Sequence, residues 1–287
     1  MTRSVEHADD GSGSDDGHLA DGGHRVAAVV VAAGSGARLG ADVPKALVRV
    51  AGRPLVAHAV RGLTESGVGA VVVVAPAERL EEVRASLAEA VSDGEVVGDP
   101  AVVSAARSGA EPGVHAEEKL SARGDVRPWV RVVAGGESRQ ASVAAGLAAL
   151  AELPETAVVL VHDAARCFAP PAMIRRVIDA VRAGHGAVIP ALPVADSLVI
   201  APGDAVEDYV DRARLRIVQT PQGFSRDVLV RAHAAAPPAH ESTAATDDAQ
   251  LAAAVGETVW TVPGDDAAMK ITTPRDLAVA RALFGAR

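Results

Sequence analysis

The sequence predicts an α/β fold, a doubly wound and mostly parallel sheet covered by helices. Three observations predict it. Short Val-rich runs are apolar throughout rather than alternating, as strands buried on both faces are. Longer Ala/Leu/Arg stretches between them have helical spacing. The two kinds of segment alternate along the chain, the order that a parallel sheet with crossover helices requires.

The elements follow in order. VAAVVVAA (26–33) is the first strand; a glycine-bearing loop and a helix beginning near Pro44 come next. A helix over about 54–66 leads to AVVVVA (70–75) and a helix over 78–91. Residues 92–128 break the rhythm, being rich in Gly, Ser, Pro and charge, and read as a mobile insertion. VRVVAG (130–135), a helix over 138–151, AVVLVHD (157–163), a helix over 171–183 and GAVIPA (186–191) resume it. Residues 194–216 leave it again: SLVI, a PGD turn and a polar segment read as a hairpin-like arm, of a kind that pairs with another subunit. RIVQTPQGF (216–224), helices at 225–236 and about 247–255, a strand at 257–262 and a helix at 274–284 complete the fold, with Pro274 in the first turn of the last helix. Ligands of such a sheet bind at the C-terminal ends of its strands.

Composition narrows the function. The chain has 287 residues, 49% of them hydrophobic, which excludes wholesale disorder. Aromatics at 2% and a net charge of −9 argue against a base-stacking or general nucleic-acid binder. Residues 1–24 carry −5 of that charge and read as a disordered acidic tail, leaving 25–287 as one domain. Cys167 is the single cysteine, so no intrachain disulfide forms and a reducing compartment is expected. No run of 18 apolar residues and no apolar signal region is present, and we read the protein as cytoplasmic and free of membranes. Of 28 basic residues only three are lysine: Lys45, Lys119 and Lys270. A lysine kept against such an arginine background either survives by chance or marks a place where a guanidinium does not fit.

The most informative stretch is VVVAAGSGARLGADVPKAL (29–47). Gly34, Gly36 and Gly40 let backbone amides approach a phosphate, and Arg38 and Lys45 add fixed cations. The spacing GxGxRxGxxxPK is neither the dinucleotide GxGxxG, since the next Gly after Gly36 is Gly40, nor a Walker loop, since there is no GK[ST]. It suits a triphosphate and a departing pyrophosphate.

With AGGESRQASVAAGL (134–147), VHDAAR (161–166), PVADS (193–197), VQTPQGF (218–224), TDD (246–248) and KITTPRDL (270–277), this loop resembles the 2-C-methyl-D-erythritol 4-phosphate cytidylyltransferase family of the non-mevalonate isoprenoid pathway. The resemblance covers residues 25–287 outside the insertion and implies a Rossmann-like nucleotidyltransferase fold with a protruding β-arm. It implies that Arg38 and Lys45 stabilise the transition state of nucleotidyl transfer. Ala33, Gly34 and Gly36 would hold the nucleotide phosphates, and Gly136, Glu137 and Ser142 the cytidine end of CTP. Asp163 would lie near the α-phosphate and Mg²⁺, with Arg166 close by. Arg212 of the arm, Ser197, Thr220, Thr246 and Lys270 would hold the polyol phosphate, Arg212 and Lys270 being counted as catalytic. The arm would come from a second subunit of a homodimer. In the arm Ser197 stands where the family often has Thr, which keeps the hydroxyl, and Val199 where it often has Lys, which removes a charge.

The residues also bear plainer readings. His162 beside Asp163 is strand-end structure, Cys167 a buried inert thiol, Asp247 and Asp248 helix caps, and Asp265 and Asp266 either turn residues or support for magnesium near Lys270. The competing functions are transfer to another polyol phosphate such as ribitol 5-phosphate, and a catalytically silent nucleotide-binding scaffold.

Overall fold

In a computed structural model the described residues are 25–34, 39, 43–92, 128–236, 245 and 247–285. The acidic tail, almost all of the 92–128 insertion with Lys119, and the predicted site residues Gly36, Arg38 and Thr246 lie outside them.

The strand runs form one large mixed sheet. Its strands are β1 (Arg25–Val31), β4 (Ala70–Ala75), β5 (Trp129–Ala134), β6 (Thr156–Asp163), β7 (Ala187–Pro193), β10 (Arg216–Val218), β11 (Gln222–Ser225) and β12 (Val259–Pro263). The order is β10-β7-β11-β6-β1-β4-β5, with β12 paired to β7. β6, β1, β4 and β5 run parallel. β11 runs antiparallel between β6 and β7.

The uninterrupted apolar runs have a direct cause. Alternate residues of each strand feed two cores, one on each face of the sheet. Val26, Ala28 and Val30 belong to one core, with Leu55 and Val60 of helix α1 (Leu55–Thr64). Ala27 and Val29 belong to the other, with Val143 and, further along, Leu229. Among the described residues five helices follow α1 in the layers on the sheet: α2 (Leu80–Ser92), α3 (Arg139–Ala149), α4 (Pro171–Arg182), α5 (Arg226–Ala235) and α6 (Asp248–Ala254). A last one, α7 (Pro274–Phe284), starts on a capping box between Thr273 and Asp276 with Pro274 in its first turn. No described helix is long and apolar enough to cross a membrane.

Two segments differ from simple expectation. The helix expected near Pro44 is only a single 3₁₀ turn, Lys45–Leu47. The chain then makes a tight hairpin, β2 (Arg49–Val50) with β3 (Arg53–Pro54). Ala51 and Gly52 both have positive φ (50° and 78°), as a two-residue primed turn demands, and the α-helix starts only at Leu55. Of the segment 194–216 expected as an arm, residues 194–215 leave the large sheet and hold a second hairpin, β8 (Leu198–Ile200) against β9 (Asp208–Val210), while Arg216 already pairs with Pro193 in the sheet. Leu198, Val199, Ile200, Val206 and Tyr209 on it are exposed, Tyr209 by 76%.

Candidate active site

A cavity of about 310 Å³ opens at the C-terminal ends of β1 and β6. This is where a sheet of this kind offers backbone groups with no further ladder to join. Ala33 and Gly34, just beyond β1, form one wall, with Lys45 from the 3₁₀ turn. Gly136, Glu137, Ser138, Arg139 and Ser142 form another, and Asp163, Ala164, Ala165 and Lys270 the floor and far side.

The second wall is built by close packing. Ser138 caps α3, its hydroxyl accepting from Ala141 N–H at 3.1 Å. The loop before it lies so close to the helix that side chains are excluded. A Cβ on Gly136 would sit 2.5 Å from Ala141 Cβ, and one on Gly135 2.8 Å from Ser142 Oγ. Ser142 is buried and directs its hydroxyl back to the Gly136 carbonyl. The cavity therefore faces the N-terminus of an eleven-residue helix, an end that favours anions.

Asp163 is the charge at the floor. Its Oδ2 lies 2.8 Å from Lys270 Nζ, and its Oδ1 accepts from Arg139 Nε at 3.3 Å. Burial disfavours the ionised carboxyl, but Arg139 and Lys270 outweigh it and hold Asp163 below the usual carboxylate range. Arg139 also donates from Nη1 to Asp248 Oδ2 at 2.6 Å. The other oxygen of Asp248 lies 2.9 Å from His233 Nε2.

Lys270 arrives on a loop that is held at several points. Ile271 N–H donates to the Ala165 carbonyl at 2.9 Å. The Gln219 amide clamps Asp265, donating to its carbonyl at 2.8 Å and accepting from its N–H at 3.0 Å. Asp265 itself accepts from Ala267 N–H, a turn role.

Thr220 and Arg166 stand just behind the floor rather than in it. The Thr220 hydroxyl accepts from Asp163 N–H at 3.0 Å and meets His162 Nδ1 at 3.0 Å. Arg166 donates to the Ala268 carbonyl at 2.8 Å and the Val218 carbonyl at 3.1 Å, so its guanidinium ties the Lys270 loop to β10. Ser197 and Arg212 sit on the exposed arm, where Arg212 Nη1 donates to the Ala195 carbonyl; neither lines the cavity within this chain. Cys167 is buried, which pushes its thiol up and away from reactivity. The cap of α6 is Asp247, whose carboxylate accepts from Gln250 N–H. Asp248 does not cap; it is 1% exposed and pairs with Arg139.

Among the described residues no group of three His, Cys, Asp or Glu could cage a metal ion. Asp163 is a single carboxylate beside an anion-favouring helix end. That donor set fits a Mg²⁺ carried on nucleotide phosphates, which needs one or two protein carboxylates and not a cage.

Of the predicted site, the cavity brings together Ala33, Gly34, Lys45, Gly136, Glu137, Ser142, Asp163 and Lys270. Sequence reasoning missed Arg139 as a partner of Asp163, and Asp248 as the partner of Arg139. One signal was available: Arg139 opens a helix, where the dipole disfavours a cation.

Comparison with known proteins agrees in family and fold. The family described as 2-C-methyl-D-erythritol 4-phosphate cytidylyltransferase matches residues 26–99 and 110–286. A protein of that name from Saccharopolyspora erythraea is 47% identical over 263 residues, 90% of this chain and 99% of the relative. One from Nocardia farcinica is 44% identical over 271 residues, 93% of this chain and 97% of the relative. The crystal structure of the Thermus thermophilus enzyme of that name aligns with a TM-score of 0.62 at 34% identity, covering 90% of this chain and 98% of that one. A 4-diphosphocytidyl-2C-methyl-D-erythritol synthase from Anaerococcus prevotii aligns with a TM-score of 0.66 at 25% identity, covering 91% and 98%.

Proposed function

The chain belongs to the 2-C-methyl-D-erythritol 4-phosphate cytidylyltransferase family, and from that premise we propose that it transfers CMP from CTP to 2-C-methyl-D-erythritol 4-phosphate. The products are 4-diphosphocytidyl-2-C-methyl-D-erythritol and pyrophosphate. The observation that carries the reading is the convergence of Lys45, Asp163, Lys270 and the head of α3 on one cavity at the strand ends.

An oxygen of the polyol phosphate attacks the α-phosphorus of CTP, a new P–O bond forms, and the bond to the bridging oxygen breaks as pyrophosphate leaves. Negative charge grows on the bridging and equatorial oxygens. Fixed cations lower that barrier, and no covalent nucleophile is required. Lys45 neutralises the triphosphate from the first wall, together with Arg38 of the same loop. Lys270 faces it from the other side and meets the acceptor phosphate. Gly136, Glu137 and Ser142 hold the cytidine end, and Ala33 with Gly34 and Gly36 the phosphates. Asp163 is the residue that would hold Mg²⁺, which when bound supplies charge neutralisation at the phosphates. Arg166 and Thr220 act from behind the floor, on the Lys270 loop and on the Asp163 backbone.

The rest of the acceptor site we assign to Arg212 and Ser197 of the arm, with Thr246. Both arm residues would reach a cavity from a partner subunit, making the protein a homodimer. The exposed Leu198, Val199, Ile200 and Tyr209 support this, since such a row is normally covered. The single buried cysteine agrees with a cytoplasmic setting.

The test is pyrophosphate release from CTP and Mg²⁺ with 2-C-methyl-D-erythritol 4-phosphate or ribitol 5-phosphate as acceptor. Release with the first and little with the second is expected. The reverse preference overturns the acceptor, and no release with either overturns the enzyme.

A further inference from the structure

Arg139 divides its guanidinium unequally. Nη1 donates to Asp248 at 2.6 Å, while Nε reaches Asp163 only at 3.3 Å. Nε and Nη2 share one edge of the guanidinium, the fork that normally grips a carboxylate with two parallel bonds. Here Nη2 is buried and, among the described residues, has no hydrogen-bond partner, so the fork toward Asp163 is engaged on one prong alone. The tighter hold belongs to Asp248, which does not line the cavity.

Asp248 needs explaining on its own account. It is 1% exposed, and the helix it begins is already capped by Asp247. A buried charged pair is weak evidence for stability, because well-packed apolar residues often serve as well. His233 Nε2 at 2.9 Å fixes the remaining oxygen of Asp248 and so fixes the direction in which it draws Arg139. Gln140, the next residue, donates to the Ala236 carbonyl at 2.9 Å and ties the same helix head to the end of α5. The head of α3 is thus anchored from the side away from the cavity.

We propose that Asp248 is a positioning residue for nucleotidyl transfer: it draws Arg139 toward itself and keeps the guanidinium fork from closing on Asp163. The Asp163 carboxylate then stays turned to the cavity and to Lys270. His233 is the outer stay of the same device. The proposal rests on the reading of this cavity as the CTP site.

The test uses the full chain with the Asp248→Asn variant. The amide keeps the shape and removes the charge that competes for Arg139. Removing a negative charge beside a triphosphate site does not weaken attraction for CTP. Calorimetry with CTP and Mg²⁺ gives the number of binding sites and Kd, and pyrophosphate release gives kcat per CTP-binding site. The expected result is a tenfold or greater fall in kcat per site, with Kd and KM for CTP no more than threefold above wild type. A merely structural role lowers the number of sites and leaves kcat per site intact; a value within twofold of wild type overturns the proposal. Where Asp248→Asn does not fold, His233→Leu is read in the same way, with at least a threefold fall expected and an unchanged kcat per site overturning it. Wild-type protein that binds no CTP overturns the reading of the cavity, and this proposal with it.

Discussion

Acid should reach His162 before it reaches the neighbouring Asp163. The imidazole is 1% exposed on β6, next to Asp163, with Nδ1 3.0 Å from Thr220 Oγ1. Burial pushes it down; Asp163 opposes the shift and Arg166 adds to it, and the result is about 4 against the ordinary 6.5. Above pH 6.5 the ring is neutral folded or unfolded, and its contribution is fully present. Between pH 6.5 and about 4 the unfolded chain takes up a proton that the native state refuses, so stability is lost as pH falls through that window. At about 1.4 kcal/mol per pH unit, the gap between 6.5 and about 4 amounts to roughly 3 kcal/mol. Asp163, held below the usual carboxylate range, stays ionised over the same window. The comparison protein is His162→Asn, whose amide nitrogen replaces Nδ1 toward Thr220 and does not titrate. Urea unfolding between pH 7 and pH 4 should show the wild type losing roughly 3 kcal/mol more than the variant, with equal slopes in urea. His58, also pushed down by burial, is present in both proteins and cancels. Parallel losses in the two proteins would refute a neutral buried His162.

Lys45→Arg and Lys270→Arg should each lower kcat tenfold or more although charge is kept, because a guanidinium is larger and its donors are splayed; Lys119→Arg should match wild type in the same pyrophosphate assay. Gly136→Ala should weaken CTP binding at least tenfold in calorimetry and cost about 1–3 kcal/mol of stability, since its Cβ would lie 2.5 Å from Ala141 Cβ and 3.3 Å from the Ala141 carbonyl carbon. If the proposed homodimer forms through the arm, Ile200→Asp should give a monomer by light scattering at micromolar protein where the wild type is a dimer, and lower activity at least tenfold as Arg212 is withdrawn; a dimeric, active variant would count against the shared site.

The strands were legible because both their faces are buried, and a run such as AVVVVA has no other stable use. The polarity of β11 was not. PQGF carries no mark of an antiparallel strand set between two parallel ones; only its register with Val159 and Val161 of β6 reveals it. At Pro44 a start signal for a helix was real but local. Val48 and Val50 are buried with Arg49 exposed between them, a period of two that belongs to a strand and that Gly52 turns back on itself. Of the first cavity wall, Gly34 and Lys45 could be read from the loop after β1. The Arg139–Asp248 pair could not, because its members are far apart in sequence and each alone resembles a solvated helix end.

The bond from Ile271 N–H to the Ala165 carbonyl has a consequence for the order in which the enzyme is made. Every other wall of the cavity is supplied by residues between Val31 and Ala165. A nascent chain therefore completes those walls early, yet it remains without Lys270 until β12 and the loop after it have been synthesised and docked. On the proposed role of Lys270, catalytic competence waits for this loop to dock. Turnover then serves as a report that this loop has docked, and with it the buried Ile271 that follows Lys270.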